Sequence, residues 1–194
     1  MAPDVLAPWA EPVLLTADDL LAHADHPWRY ELVEGRLVRM PPTGYEHGNV
    51  ALNLLRAIDT AVRDLGRVSP PETGFLVSRP GEPDTVLAPD LAFISAARIP
   101  QPGSRDWKGF PRLAPDLVVE IALPTQRPPE LAVKARRWLA AGVRLVWVVW
   151  HATRQVDAWH PGSDVPSVTL DEMGELDGHE VLPGFTYPVA ELFS

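Results

Sequence analysis

The chain predicts an α+β domain built on a central mixed β-sheet flanked by helices, with extra antiparallel strands toward its C-terminal end. Three observations carry that prediction. Apolar, β-branched runs at 86–94, 116–123 and 143–150 read as buried strands. Segments with helical periodicity, 45–65 and 129–141, are interleaved with them. The second of these connects the last two runs, which is the crossover that a parallel pair of strands requires.

The elements follow in order. Residues 1–14 are proline-rich and read as an extended lead-in to a single domain over 15–194. Thr16 with Asp19 three residues later gives the start of a short capped helix. Alternating apolar positions over 30–40 flank Glu34-Gly35, the pattern of a hairpin. Val50, Leu54, Leu55, Ile58, Val62 and Leu65 form one helical stripe, and Gly66 reads as its C-terminal cap. Residues 74–78 and 86–94 read as strands joined by Gly81-Glu82-Pro83-Asp84. A long loop rich in Pro and Gly covers 95–113 and carries Trp107 and Lys108; loops of that length are often binding elements. After the strand at 116–123 comes the helix over 129–141, with Leu131, Trp138 and Leu139 facing inward, closed by Gly142. Residues 154–160 and 167–170 suggest further antiparallel strands, and 182–194 reads as an edge tail.

Composition narrows the classes. The sequence has 194 residues, a formal net charge of −9 and no cysteine. The absence of cysteine excludes disulfides, thiolate catalysis and Cys-ligated metal centres. No run of about 18 apolar residues is present, so no membrane span is expected. The N-terminus lacks a basic start and an apolar signal core, which makes the cytoplasm the expected location. The acidic balance opposes broad phosphate contact, although a basic face or bound metal can offset it locally. Of 17 basic residues only Lys108 and Lys134 are lysines, so a lysine at 134 hints at chemistry that arginine does not supply.

Asp90 and Glu120 lie inside apolar runs, where a carboxylate is costly unless it is paired or binds a cation. If the strand register aligns them, they form a sparse magnesium site with Lys134 nearby to orient or help deprotonate water and to stabilise a phosphate. The competing readings are that Asp90 is a turn residue after Pro89 and that Glu120 pairs with an arginine. Glu46, at the start of the first long helix, fits the helix dipole. Arg136 and Arg137 either contact phosphates or form a solvated face, and Trp107 is the tryptophan most suited to stacking on a base.

The chain also resembles the Uma-two family of restriction endonucleases, within the PD-(D/E)XK nuclease superfamily. The resemblance rests on Tyr30-Glu31-Leu32-Val33-Glu34-Gly35, His47, Pro89-Asp90-Leu91, Val118-Val119-Glu120-Ile121, Pro124, Lys134, Gly142-Val143 and Trp147-Val148-Val149, in that order. It implies a restriction-endonuclease-like fold, catalytic Asp90, Glu120 and Lys134, and Asp90, Glu120 and the Ile121 carbonyl as metal ligands. Glu31 joins them as a further acid, or else is an exposed or arginine-paired strand residue. His47 is an accessory group touching phosphate or water, or else a packing or capping histidine. Several positions depart from the family pattern. Ala122 stands where the simplest superfamily motif has its lysine, Leu123 replaces a serine, Glu130 an aspartate, Trp138 a tyrosine, and Trp150 an aspartate.

The expectation is therefore a metal-dependent DNA endonuclease using Mg²⁺, with Mn²⁺ able to substitute, acting on DNA, with a homodimer as the arrangement that would cut both strands. Two alternatives remain open: an inactive member of the fold serving as a nucleic-acid-binding or assembly module, and a phosphodiesterase acting on RNA or a small nucleotide.

Overall fold

The computed structural model describes residues 13–23 and 26–194. Apart from Val13 and Leu14, the lead-in expected over 1–14 lies outside the described residues. Helix α1 (Ala17–Ala22) begins with the expected capping box: the Asp19 N–H donates to Thr16 Oγ1 at 3.2 Å and the Thr16 N–H donates to Asp19 Oδ2 at 2.8 Å. Strands β1 (Arg29–Val33) and β2 (Arg36–Met40) form the predicted hairpin. Glu34 and Gly35 at its tip have φ of 50° and 74°, the signs that a tight two-residue turn demands.

Helix α2 (Tyr45–Ala61) buries Val50, Leu54 and Ile58, with Val62 just beyond its end, while Leu65 falls outside the stripe and is exposed. Val62 caps this helix, and Gly66 instead opens β3 (Gly66–Ser69). A Cβ at Gly66 would stand 2.1 Å from the Ile94 carbonyl oxygen, so a close strand approach, not helix termination, requires the glycine.

Next come β4 (Phe75–Leu76), β5 (Val86–Leu87) and β6 (Leu91–Ser95). The single strand expected over 86–94 is thus broken at Ala88-Pro89-Asp90, where Pro89 has no N–H for a ladder. The two halves join different sheets. The loop over 95–113 contains a 3₁₀ turn at Ala96–Arg98 and α3 (Arg105–Lys108). Strand β7 (Leu117–Ile121), helix α4 (Pro128–Ala141) and strand β8 (Leu145–Trp150) then form the crossover, with Gly142 at φ 107° ending the helix. The remaining strands are β9 (Gln155–Trp159), β10 (Val168–Leu170), β11 (Glu175–Asp177) and β12 (Thr186–Pro188).

Among the described residues the strands form three sheets. The largest runs β10-β9-β8-β7-β6-β3 and is mixed: β7 and β8 are parallel and the other neighbours antiparallel. A second sheet runs β2-β1-β5-β4, and β11 pairs with β12. The segment 182–194 is therefore not an edge tail. It contributes β12 and a 3₁₀ turn at Val189–Phe193, and Leu182, Val189 and Leu192 are fully buried in the α2-side core.

Alternation along the strands sorts the core onto two faces. Leu117, Val119 and Ile121 of β7 join Phe93, Trp147 and Val149 against Val50, Leu54 and Ile58 of α2. Val118 and Ala122 join Ala92, Val146 and Val148 against Leu131, Ala135 and Trp138 of α4. Glu120 shares the parity of Val118 and Ala122, which sends its carboxylate beneath α4.

Candidate active site

Strand pairing brings the predicted acids together. Leu91 pairs with Val119 and Ala92 with Val118, so the same antiparallel register sets Asp90 opposite Glu120. Asp90 leaves the ladder at the break in the chain, and its Oδ2 accepts the Ile121 N–H at 2.7 Å. His47 Nε2 from α2 lies 3.3 Å from the same oxygen. Asp90 is therefore held by two partners from two elements, more than a turn residue after Pro89 needs.

Glu120 and Glu31 meet at Lys134. The Lys134 ammonium donates to Glu120 Oε2 at 2.9 Å and stands 2.9 Å from Glu31 Oε1. Glu31 Oε1 also accepts the Ala88 N–H at 2.9 Å, tying the small sheet to the chain just before Asp90. Glu31 is 5 % exposed and Glu120 4 %, which removes the reading of Glu31 as an exposed strand residue. Neither acid pairs with an arginine.

The partner that sequence reasoning missed is Trp138. Its Nε1–H donates to Glu120 Oε1 at 2.7 Å, and the ring is fully buried. From the sequence Trp138 reads as a core residue at a family tyrosine position. The available signal was its spacing: Lys134 and Trp138 are four apart on one helix and so share a face. Glu120 is thereby fixed from both oxygens by one helix.

The charges are unbalanced. Burial pushes the Glu120 carboxyl upward, Lys134 opposes this, and the Asp90 and Glu31 carboxylates add to it. Burial alone would lower Lys134, but Glu120 and Glu31 outweigh it and hold the ammonium above the usual lysine range. Asp90, Glu120 and Glu31 thus crowd three acidic groups around one ammonium, a repulsion that a divalent ion would relieve. Among the described residues no three Asp, Glu, His or Cys side chains are arranged to cage an ion by themselves. Magnesium does not need such a cage, because it retains waters and takes one or two carboxylates. The donor set fits an open site of that kind.

A cleft of about 600 Å³ opens over these residues, lined by Asp90, Glu120, Ile121, Lys134 and His47. Gln126 is a second missed member of its wall; its Oε1 accepts the Leu123 N–H at 2.9 Å. Leu123 itself lines the cleft, whereas Trp150 does not and donates to Asp157 Oδ2 at 2.7 Å. Trp107, expected as a stacking residue, is exposed on α3 and lies outside the lining, as do Arg136 and Arg137. Arg136 donates to the Asp164 carbonyl at 3.1 Å. Glu46 and Glu130 sit in the first turns of α2 and α4, where the helix dipole favours an acid.

A mixed sheet with a βαβ crossover, acids on β7 and just ahead of β6, and a lysine from the crossover helix define a restriction-endonuclease-like nuclease fold. The chain belongs to the Uma2 family, described as "Putative restriction endonuclease", whose model matches residues 17–190. Among solved structures it is similar to the crystal structure of "a putative nuclease belonging to DUF820" from Anabaena variabilis ATCC 29413. That likeness has a TM-score of 0.75 at 18% identity and covers 94% of this chain and 98% of the other, a likeness of fold. A comparison with curated proteins finds no match. Among the described residues no helix is long and apolar enough to cross a membrane.

Proposed function

We propose that this nuclease-family protein is a DNA endonuclease that depends on Mg²⁺, with Mn²⁺ able to substitute. The observation that carries the reading is the Glu31–Lys134–Glu120 bridge, in register with Asp90 and open to the cleft. Asp90, Glu120 and the Ile121 carbonyl are the groups that would hold the ion. Bound there, it would supply Lewis-acid polarisation of the phosphate and a water of lowered pKa.

The chain's own residues have separate tasks. Lys134 is a full ammonium at neutral pH, so it donates to a phosphate oxygen and offsets charge as the water oxygen bonds to phosphorus. Glu31 anchors that ammonium from the side opposite Glu120, and His47 holds Asp90. Hydrolysis then breaks one ester P–O bond, and the departing oxygen gains a proton as the attacking water loses one. Cutting both strands together calls for two such sites, which makes a homodimer part of the proposal.

The net charge of −9 favours one second reading, an inactive binding module. Thermal unfolding with Mg²⁺, Mn²⁺ and EDTA separates the two. Stabilisation by either ion that disappears in Asp90→Ala supports the endonuclease, and an unchanged melting temperature in every condition refutes the metal site.

A further inference from the structure

The cleft continues well past the acids, and its outer wall belongs to the β1–β2 hairpin. Trp28, Tyr30 and Met40 line it there, facing Leu52 of α2 and Phe110 of the long loop. Trp28 is 45% exposed, and the Arg39 guanidinium lies over its ring, 3.3 Å from the centroid. A half-exposed indole backed by a guanidinium, at the mouth of an apolar cleft, is a surface on which a planar ring stacks.

The charges in the cleft argue against a substrate held chiefly by its phosphates. Among the described residues, Arg29 and Lys134 are the permanent cations of the lining; Arg29 is paired, and Lys134 serves only the phosphate being cut. Arg29 pairs with Glu72, and Lys134 with Glu31 and Glu120. Duplex affinity is supplied largely by phosphate neutralisation, and this wall offers little of it. Stacking on bases needs them unpaired. Trp28 lines the same cleft as Asp90, Glu120 and Lys134 and lies three positions before Glu31, so a base on Trp28 belongs to a nucleotide near the one being cut.

We propose that the cleft takes an unpaired DNA strand, with a base stacked on Trp28 and Arg39 beside the scissile phosphate at Asp90, Glu120 and Lys134. This rests on the endonuclease reading and adds the form of its substrate: each site of the pair takes one locally opened strand, so a single strand, overhang or loop is preferred to continuous duplex.

The test is fluorescence anisotropy with a labelled 20-nucleotide single strand and with the corresponding duplex. Both are measured in Ca²⁺, which neutralises the carboxylates, with gels verifying that the oligonucleotide stays intact. The single strand is expected to bind at least about tenfold more tightly than the duplex. Trp28→Ala should weaken single-strand binding roughly 5- to 150-fold, the worth of one stacked base, and Trp28→Phe should recover most of it. Arg39→Gln, a surface change, should give an intermediate loss. Tighter duplex binding, no binding of either DNA, or wild-type affinity in Trp28→Ala would overturn the proposal. Failure of the endonuclease reading shows elsewhere, as the absence of Mg²⁺-dependent cleavage by the wild type on plasmid and single strand alike.

Discussion

Replacing Trp138 by phenylalanine removes a hydrogen bond and part of a ring from the most enclosed corner of the site. The bond, 2.7 Å from Nε1 to Glu120 Oε1, has a charged acceptor, so its loss costs about 1.5–3 kcal/mol. Trimming a fully buried indole to a phenyl adds roughly 1–2 kcal/mol from lost burial and a residual cavity. Together these amount to about 2.5–5 kcal/mol, a large part of the ~5–15 kcal/mol that stabilises a typical domain. Trp138→Tyr is the informative companion, because its hydroxyl restores a donor from the same helical position. Urea unfolding followed by far-ultraviolet circular dichroism should place tyrosine well above phenylalanine. Catalysis should fall further in Trp138→Phe than in Trp138→Tyr when both are assayed fully folded, since Glu120 is then held on one side only. Equal stability of the two variants, or a phenylalanine variant within about 0.5 kcal/mol of wild type, would refute the assignment of Trp138 as the support of Glu120.

Other expectations follow from the same structure. Burial pushes the Asp116 carboxyl up, but the Ser95 N–H and Arg98 outweigh it and hold the group below its usual range. Its stabilising contribution is therefore present above the unfolded carboxylate pKa, near 3.9, and is lost as pH falls through the lower folded value. Asp116→Asn should destabilise by about 1–3 kcal/mol at pH 7, and the gap to wild type should narrow below about pH 4 in urea titrations. Gly66→Ala drives a methyl into the Ile94 carbonyl and should cost at least about 2 kcal/mol by the same measurement. Lys134→Met leaves Glu31 and Glu120 buried without their shared cation, so stability should drop by roughly 3–5 kcal/mol; a stable variant would show that the bridge is not formed in solution.

Local chemistry made much of this fold legible. Thr16 with Asp19, Glu34-Gly35 and Gly142 each specify a backbone event within four residues, and each occurs as expected. The parallel β7–β8 pair was likewise readable, because a helix between two buried runs leaves few alternatives. Long-range contacts were not. Gly66 resembles a cap until β6 is seen lying against it, and the 86–94 run shows no gap until Pro89 and Asp90 are placed between two sheets. Leu182, Phe185, Val189 and Leu192 have a helix-like spacing that Pro183, Gly184 and Pro188 between them contradict, so their burial in the core was not legible as a pattern.

The site divides in the same way. Asp90, Glu120 and Lys134 stood out because charged residues in or near apolar runs need a reason. Glu31 was named without a partner, since its meeting with Lys134 depends on how the small sheet packs on the large one. Trp138 reads as core and is core; a buried indole also has one N–H that must be satisfied, and here Glu120 accepts it.

The central claim is that Asp90, Glu120 and Lys134 form one metal-dependent site for phosphodiester cleavage. The most direct measurement is the rate of nicking of supercoiled plasmid by wild type, Asp90→Ala, Glu120→Gln and Lys134→Ala, each in Mg²⁺, Mn²⁺ and EDTA. Wild type should nick with either ion and not in EDTA, and every variant should lose about 10²-fold or more. Metal-dependent nicking that persists undiminished in the three variants, or no nicking by wild type in any condition, would contradict the claim.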